Sequence, residues 1–341
     1  MPPLLKRSIS LWAAVAACTL FPLIYAQEQP SYSVEVDIVP IIATVRNDDG
    51  QLVADLSRED FVLEEEGRRQ EIEYFAREAD LPLTIGLLVD SSMSQRRILQ
   101  EEREASYQFL QQVLRPEKDL VFVISFDVDV ELLQDLTNDL TPLQASLEEV
   151  QVPSGGDRGQ RIGTVLYDSV FLSSDEIMQE QSGRKALILL SDGVEVRSLV
   201  DSNAAIEAAQ RSDTVIYGIR YYDEDSYSGG GWGGMSRGGG QGRSGRFPGP
   251  GPGGTRGGRP PDGKEVLEEL SEETGGRLFE VSKKLSLSQI FEEIEEELRS
   301  QYILGYTPKE AESNGDYRRI TVKTRNKKLK VQSRAGYYPN R

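Results

Sequence analysis

The sequence has 341 residues, 38% of them hydrophobic, with 39 Lys plus Arg against 56 Asp plus Glu and a formal net charge of -17. That apolar content fills a core, and the length allows one large domain or two modest ones. The acidic balance argues against a nucleic-acid binder, which needs a basic surface to track phosphates. The absence of histidine excludes His-based triads and the common zinc sites.

The chain opens with Lys6 and Arg7, followed by an apolar run from Ile9 to Tyr25 and a polar stretch starting at Gln27, just after Ala26. This pattern predicts an export signal over residues 1–26. The run is interrupted by Pro22 and falls short of the roughly 18 apolar residues that a retained anchor needs. The mature chain is therefore expected to be exported, periplasmic or extracellular, with no transmembrane helix and with envelope association left open. Cys18 is the only cysteine, and Val15-Ala16-Ala17-Cys18 resembles a bacterial lipoprotein processing site. Against lipidation, the apolar run continues through Leu20, Phe21, Leu23 and Ile24. After cleavage no cysteine remains for a disulfide or a thiolate.

Residues 31–79 read as a β segment. Val34, Val36 and Ile38 alternate with polar neighbours, and Asn47-Asp48-Asp49-Gly50 marks a turn before a return strand at Leu52 and Val53. Further strands are expected at Phe61–Leu63 and Ile72–Phe75.

Residues 80–300 change to strands alternating with helices. The continuously apolar stretches Thr84–Val89, Leu120–Phe126, Lys185–Leu190 and Thr214–Ile219 suit strands covered on both faces. Val128–Leu133 adds a short edge strand and Arg277–Val281 a further strand. Helices are expected at Arg96–Leu114, from near Thr164, and at Asn203–Gln210, Lys264–Glu273 and Leu287–Gln301. An insertion at 226–262 interrupts this domain: 17 of the 35 residues from 229 to 263 are glycine, and Arg237, Arg243, Arg246, Arg256 and Arg259 lie among them. Ordering so many glycines costs entropy that few apolar side chains offset, so a surface excursion is expected.

In residues 301–341 β signals return, at Tyr302–Leu304, Arg319–Thr324 and Leu329–Ser333, the last two joined by a turn. The fold class expected is α/β: a doubly wound, mostly parallel sheet inserted between flanking β segments (31–79 and 301–341) that pack into a small β-sandwich-like module.

Asp90-Ser91-Ser92-Met93-Ser94 follows directly on one apolar strand, and Asp192 ends another. In open α/β sheets ligands sit beyond the carboxyl ends of strands. Thr164, at a loop-to-helix junction, is expected at the same rim. Two carboxylates and three hydroxyls form an all-oxygen donor set suited to Mg²⁺, Mn²⁺ or Ca²⁺ and unsuited to soft metals. Hydroxyls ligate without adding charge, so the ion keeps an electrophilic character and a position for an incoming anionic oxygen. Taken singly, the Asp-Ser pair reads as a helix cap and Asp192-Gly193 as a turn; the combination on successive strand ends is what points to a site.

These residues resemble the von Willebrand factor type A domains, and most of the mature chain resembles bacterial secreted proteins in which β segments flank such a domain. The resemblance rests on Asp90-x-Ser92-x-Ser94, Gly163-Thr164 with Tyr167 and Asp168, and Ser191-Asp192-Gly193. It extends to Leu56–Phe61, Gln301–Tyr306 and Arg334–Tyr338. It implies a metal-ion-dependent adhesion site in which Ser92, Ser94 and Thr164 touch the ion. Asp90 and Asp192 act directly or through water, and a protein partner presented to the rim loops supplies an Asp or Glu. Mg²⁺ is the first choice, with Mn²⁺ or Ca²⁺ as alternatives. Arg161-Ile162 before Gly163 departs from the family's usual glycine there. Asp157 is read as a solvent-facing loop acid, and Asp168 as an acid that fixes the site's surroundings or caps locally.

The function expected is an exported, divalent-cation-dependent, adhesion-type binding module rather than an enzyme. One rival is a structural envelope component with a vestigial metal site. The other is a Mg²⁺-dependent phosphohydrolase using Asp90, which lacks a second acid because Ser92 holds its place. Serine hydrolysis has neither a base nor a nucleophile elbow.

Overall fold

In the computed structural model, residues 38–77, 81–152, 164–221, 263–308 and 316–339 are described. The expected export signal, Asp157, Arg161 to Gly163 and the glycine-rich insertion lie outside the described residues. Alternate side chains of β1 (Val39–Arg46) point inward, with Ile41, Ala43 and Val45 fully buried. β2 (Phe61–Glu65), β3 (Arg68–Gln70) and β4 (Tyr74–Arg77) follow. The return strand expected at Leu52 and Val53 shrinks to a single bridge between Arg46 and Leu52.

The central domain comprises β5 (Leu83–Asp90), α1 (Leu99–Val113), β6 (Leu120–Phe126), β7 (Val130–Thr137) and α2 (Leu140–Glu149). It continues through α3 (Leu166–Leu172), β8 (Arg184–Ser191), α4 (Ser202–Arg211), β9 (Thr214–Arg220), α5 (Gly263–Thr274), β10 (Leu278–Glu280) and α6 (Leu287–Arg299). The six strands line up as β10-β9-β8-β5-β6-β7, parallel except for the antiparallel edge strand β7. Helices α1, α2 and α6 cover one face, where Leu87, Val123 and Ile188 meet Phe109, Leu147 and Phe291. Helices α3, α4 and α5 cover the other. Gly86 sits mid-strand because a Cβ there would lie 2.3 Å from the Phe122 ring. Residues 140–149, for which no element is expected above, form α2, started by Asp139, whose side chain accepts from the Thr141 N–H at 2.8 Å.

The chain then adds β11 (Tyr302–Tyr306), β12 (Arg318–Thr324), β13 (Lys330–Ser333) and β14 (Gly336–Tyr337). Both flanks contribute to two four-stranded sheets, β13-β1-β11-β4 and β14-β12-β2-β3. Between them lies one core in which Ile41, Phe61, Leu63, Tyr302, Leu304 and Ile320 pack together. The flanking segments therefore make one β module with the α/β domain inserted between them. β12 and β13 do not form a hairpin: β12 pairs with β2, whereas β13 pairs with β1 in the facing sheet. The module meets the α/β domain through Ile42, which packs on the α1/α6 core, and through Arg46, which pairs with the fully buried Glu297 of α6.

Candidate metal centre

β5 lies between β8 on one side and β6 on the other, and the chain winds outward from this pair in opposite directions. The β5/β8 boundary is thus the topological switch point, where a crevice opens beyond the carboxyl ends of the strands. Asp90 closes β5 and Ser191 closes β8, with Asp192 next.

Asp90 is completely buried. One carboxylate oxygen accepts from the Ser191 hydroxyl at 2.6 Å, and the other accepts from the backbone N–H of Ser92 at 2.8 Å. The second bond folds the chain back after the strand and starts a short 3-10 turn at Met93–Arg97. Within that turn the hydroxyls of Ser92 and Ser94 lie 2.9 Å apart. Ser91 points the other way, its N–H bonded to the Phe126 carbonyl at 2.9 Å and its hydroxyl accepting from Ser125 at 3.0 Å.

Asp192 is 4% exposed, and its carboxylate accepts from the Val194 N–H at 3.0 Å. Gly193 follows with φ +81. A Cβ there would come 1.9 Å from the carbonyl oxygen of Gly263, so only glycine passes. Thr164 is also buried, just ahead of α3. Its carbonyl accepts from Val196 at 3.2 Å, and the next residue, Val165, donates to the Asp127 carbonyl at 2.8 Å. Asp90, Ser92, Ser94 and Asp192 are thus gathered at one strand boundary, and Thr164 is tied to them through backbone.

Two acids outside the expected set organise this tie. Glu195 accepts from the N–H groups of Leu166 and Tyr167 at 2.8 and 3.2 Å, and from Arg197 and Ser198 at 2.8 Å each. It therefore caps α3 and closes its own loop. Asp168, in the first turn of α3, accepts from the N–H groups of Leu199 and Val200 at 2.8 and 3.0 Å and so ties the helix to the loop after Asp192 rather than capping locally. Glu195 has no sequence signal beyond an acid three residues after Asp192.

Burial first, and then the Asp192 carboxylate, push the Asp90 carboxyl up to about 7; only the hydrogen bonds from Ser191 and Ser92 oppose them. Glu102 on α1 is held well above the ordinary carboxylate range, by burial first and then by the charges of Asp90, Glu101 and Asp192. One of its oxygens is buried without a hydrogen-bond partner. Its signal in the sequence is an acid on the inward stripe of α1, between Leu99 and Phe109.

This donor chemistry fits a hard divalent cation. The Asp192 carboxylate opposes ionisation of Asp90, the Ser92 and Ser94 hydroxyls lie 2.9 Å apart just beyond β5, and among the described groups no cation relieves Asp90. Among the described residues no three His, Cys, Asp or Glu side chains gather as a metal cluster.

Residues 84–232 match the family model of the von Willebrand factor type A domain. The stretch from β5 through β9 is thus a von Willebrand factor type A domain. Similar solved structures include the proximal thread matrix protein 1 of the mussel byssus with a zinc-occupied MIDAS motif, at 14% identity over 70% of this chain and 50% of that one, TM-score 0.46. They also include BatB from Bacteroides thetaiotaomicron, at 17% identity over 64% and 97% of the two chains, TM-score 0.43. A third is the vWF domain of the type V pili tip protein Mfa5 from Porphyromonas gingivalis, at 13% identity over 65% and 96%, TM-score 0.44. The match spans about half the length of the mussel protein. No curated protein sequence matches the chain. Among the described residues, no helix is long and apolar enough to cross a membrane.

Proposed function

We propose that this protein is an exported, periplasmic or extracellular binding module that holds a divalent cation, Mg²⁺ first and Mn²⁺ or Ca²⁺ as alternatives, and uses it to capture a partner's carboxylate. Ser92, Ser94 and Thr164 supply hydroxyl oxygens, and Asp90 and Asp192 act directly or through bound water. The supporting observation is the gathering of Asp90, Ser92, Ser94 and Asp192 at the switch point of the sheet, with Ser92 and Ser94 oxygens 2.9 Å apart beside a wholly buried carboxyl. When bound, the ion supplies positive charge only partly offset by two carboxylates, so it attracts an Asp or Glu from a protein partner.

The arrangement favours binding over catalysis. Ser92 stands where a phosphoryl-transferring aspartate would need a second acid, and the chain has no histidine to serve as a base. The test is calorimetric titration of the mature chain with Mg²⁺, Mn²⁺ and Ca²⁺, with a phosphatase and esterase screen alongside. One ion bound per chain and no turnover is the expected result. Failure to bind any of the three ions rejects the reading in favour of a structural envelope component, and metal-dependent turnover rejects it in favour of an enzyme.

A further inference from the structure

The loops around the proposed ion differ from the rest of this acidic protein. Seven large hydrophobic side chains are exposed among the described residues, and three of them stand on the two loops that carry Ser92, Ser94 and Asp192. Met93 is 50%, Val196 56% and Leu199 95% exposed. Their backbones are fixed: Met93 lies in the 3-10 turn, Val196 donates to the Thr164 carbonyl at 3.2 Å, and Leu199 donates to both oxygens of Asp168 at 2.8 and 3.0 Å. Because the backbone is already anchored, a partner that covers these side chains orders their rotamers but does not also have to order the loop.

The charges on the same loops are also distinctive. Arg96, Arg97 and Arg197 are exposed there. From Ser91 to Gln100 and from Gly193 to Val200 the only acid is Glu195, whose two oxygens are both taken by local donors. A chain of net charge -17 thus turns an apolar and basic rim around its proposed cation.

We propose that this rim reads a partner segment in which one Asp or Glu stands among large apolar side chains, the acid going to the ion and its neighbours covering Met93, Val196 and Leu199. The exposed arginines on the same loops favour a segment of net negative charge and repel a basic one. The inference rests on the ion-dependent reading above, because the ion fixes where the acid docks.

The test is selection of linear peptides from a random displayed library on the full mature chain in Mg²⁺, with elution by chelator. Recovered peptides are expected to share an acid flanked by Leu, Ile, Met, Phe or Trp. Chelator-eluted peptides whose acids lie among small or polar residues overturn the rim proposal and leave the ion-dependent reading standing. Self-association of the chain in Mg²⁺ with no peptide recovered overturns it in favour of a second copy. A chain that binds Mg²⁺ calorimetrically, recovers no peptide and stays monomeric overturns it as well; one that binds no ion rejects both readings. The variant Leu199→Ser, on open surface, is expected to weaken the best peptide by about tenfold while Mg²⁺ affinity is unchanged. Equal peptide affinity in this variant removes the Leu199 side chain from the interface.

Discussion

The Ser191 hydroxyl donates to the buried Asp90 carboxylate at 2.6 Å, joining the ends of two neighbouring parallel strands. The same hydroxyl accepts from the Gly193 N–H at 3.0 Å. One serine thereby holds both the first carboxylate and the turn that delivers the second. Ser191→Ala leaves a buried carboxyl and a buried N–H short of a partner, which costs about 1.5–3 kcal/mol for a bond to a charged group. Urea unfolding in saturating Mg²⁺ is expected to show that loss, and a Mg²⁺ titration to show weaker binding. A variant as stable as the parent would mean that the bond makes no net contribution.

Acidity at Asp90 makes the metal-free protein sensitive to pH. Burial and the Asp192 carboxylate, beyond β8, resist ionisation of Asp90, and the Asp90 charge in turn helps to hold Glu102, on α1, protonated. Its carboxyl titrates near 3.8 in the unfolded chain and at about 7 in the folded one. The folded state therefore keeps a proton that the unfolded state releases. The contribution to stability is complete below pH 3.8, declines as pH rises, and is lost above about 7, a change on the order of 4 kcal/mol. In chelator, Asp90→Asn is expected to gain stability over the parent at pH 8 and to match it at pH 4, measured by thermal midpoint. A difference independent of pH would exclude ionisation of Asp90 as its cause.

The central sheet was legible because both faces of each parallel strand are covered, so Thr84–Val89, Leu120–Phe126 and Lys185–Leu190 appear as unbroken apolar runs. The rim was legible for a related reason: a strand that ends in Asp90 or Ser191-Asp192 advertises a polar crevice. Pairing across long sequence separations was less accessible. β12 and β13 look like a hairpin because a turn joins them, yet their hydrogen bonds go to β2 and β1, more than 250 residues away. Glu195 is similar. Its carboxylate matters because the loop after β8 comes up against the start of α3, an approach that the local sequence does not encode.

That approach is testable. Glu195→Ala removes the acceptor for the first N–H groups of α3 and for its own loop, at a cost of about 1–3 kcal/mol. Because the loop also holds Thr164 through the Val196 N–H, Mg²⁺ binding is expected to weaken although Glu195 is not among the proposed ligands. Glu195→Gln, which keeps an acceptor oxygen, should recover part of the affinity. Calorimetric affinities of the two variants equal to the parent's would separate the loop from the site.

Asp192 offers the sharpest separation of site from fold. It lies at the mouth of the crevice rather than within either apolar core, and its visible structural duty is the bond from the Val194 N–H at 3.0 Å. Asp192→Ala removes that bond, but it also removes the carboxylate that raises Asp90, and the two effects on metal-free stability oppose each other. The fold is therefore expected to survive, with an unchanged circular dichroism spectrum. Mg²⁺ affinity, by contrast, should fall by at least about tenfold, because one of the two acidic groups proposed to hold the ion is gone, whether it binds directly or through water. Stabilisation by added Mg²⁺ should shrink with it, since a ligand raises the thermal midpoint only through its affinity for the folded state. A folded Asp192→Ala variant that binds Mg²⁺ as tightly as the parent would remove Asp192 from the site and leave Asp90 as its sole carboxylate.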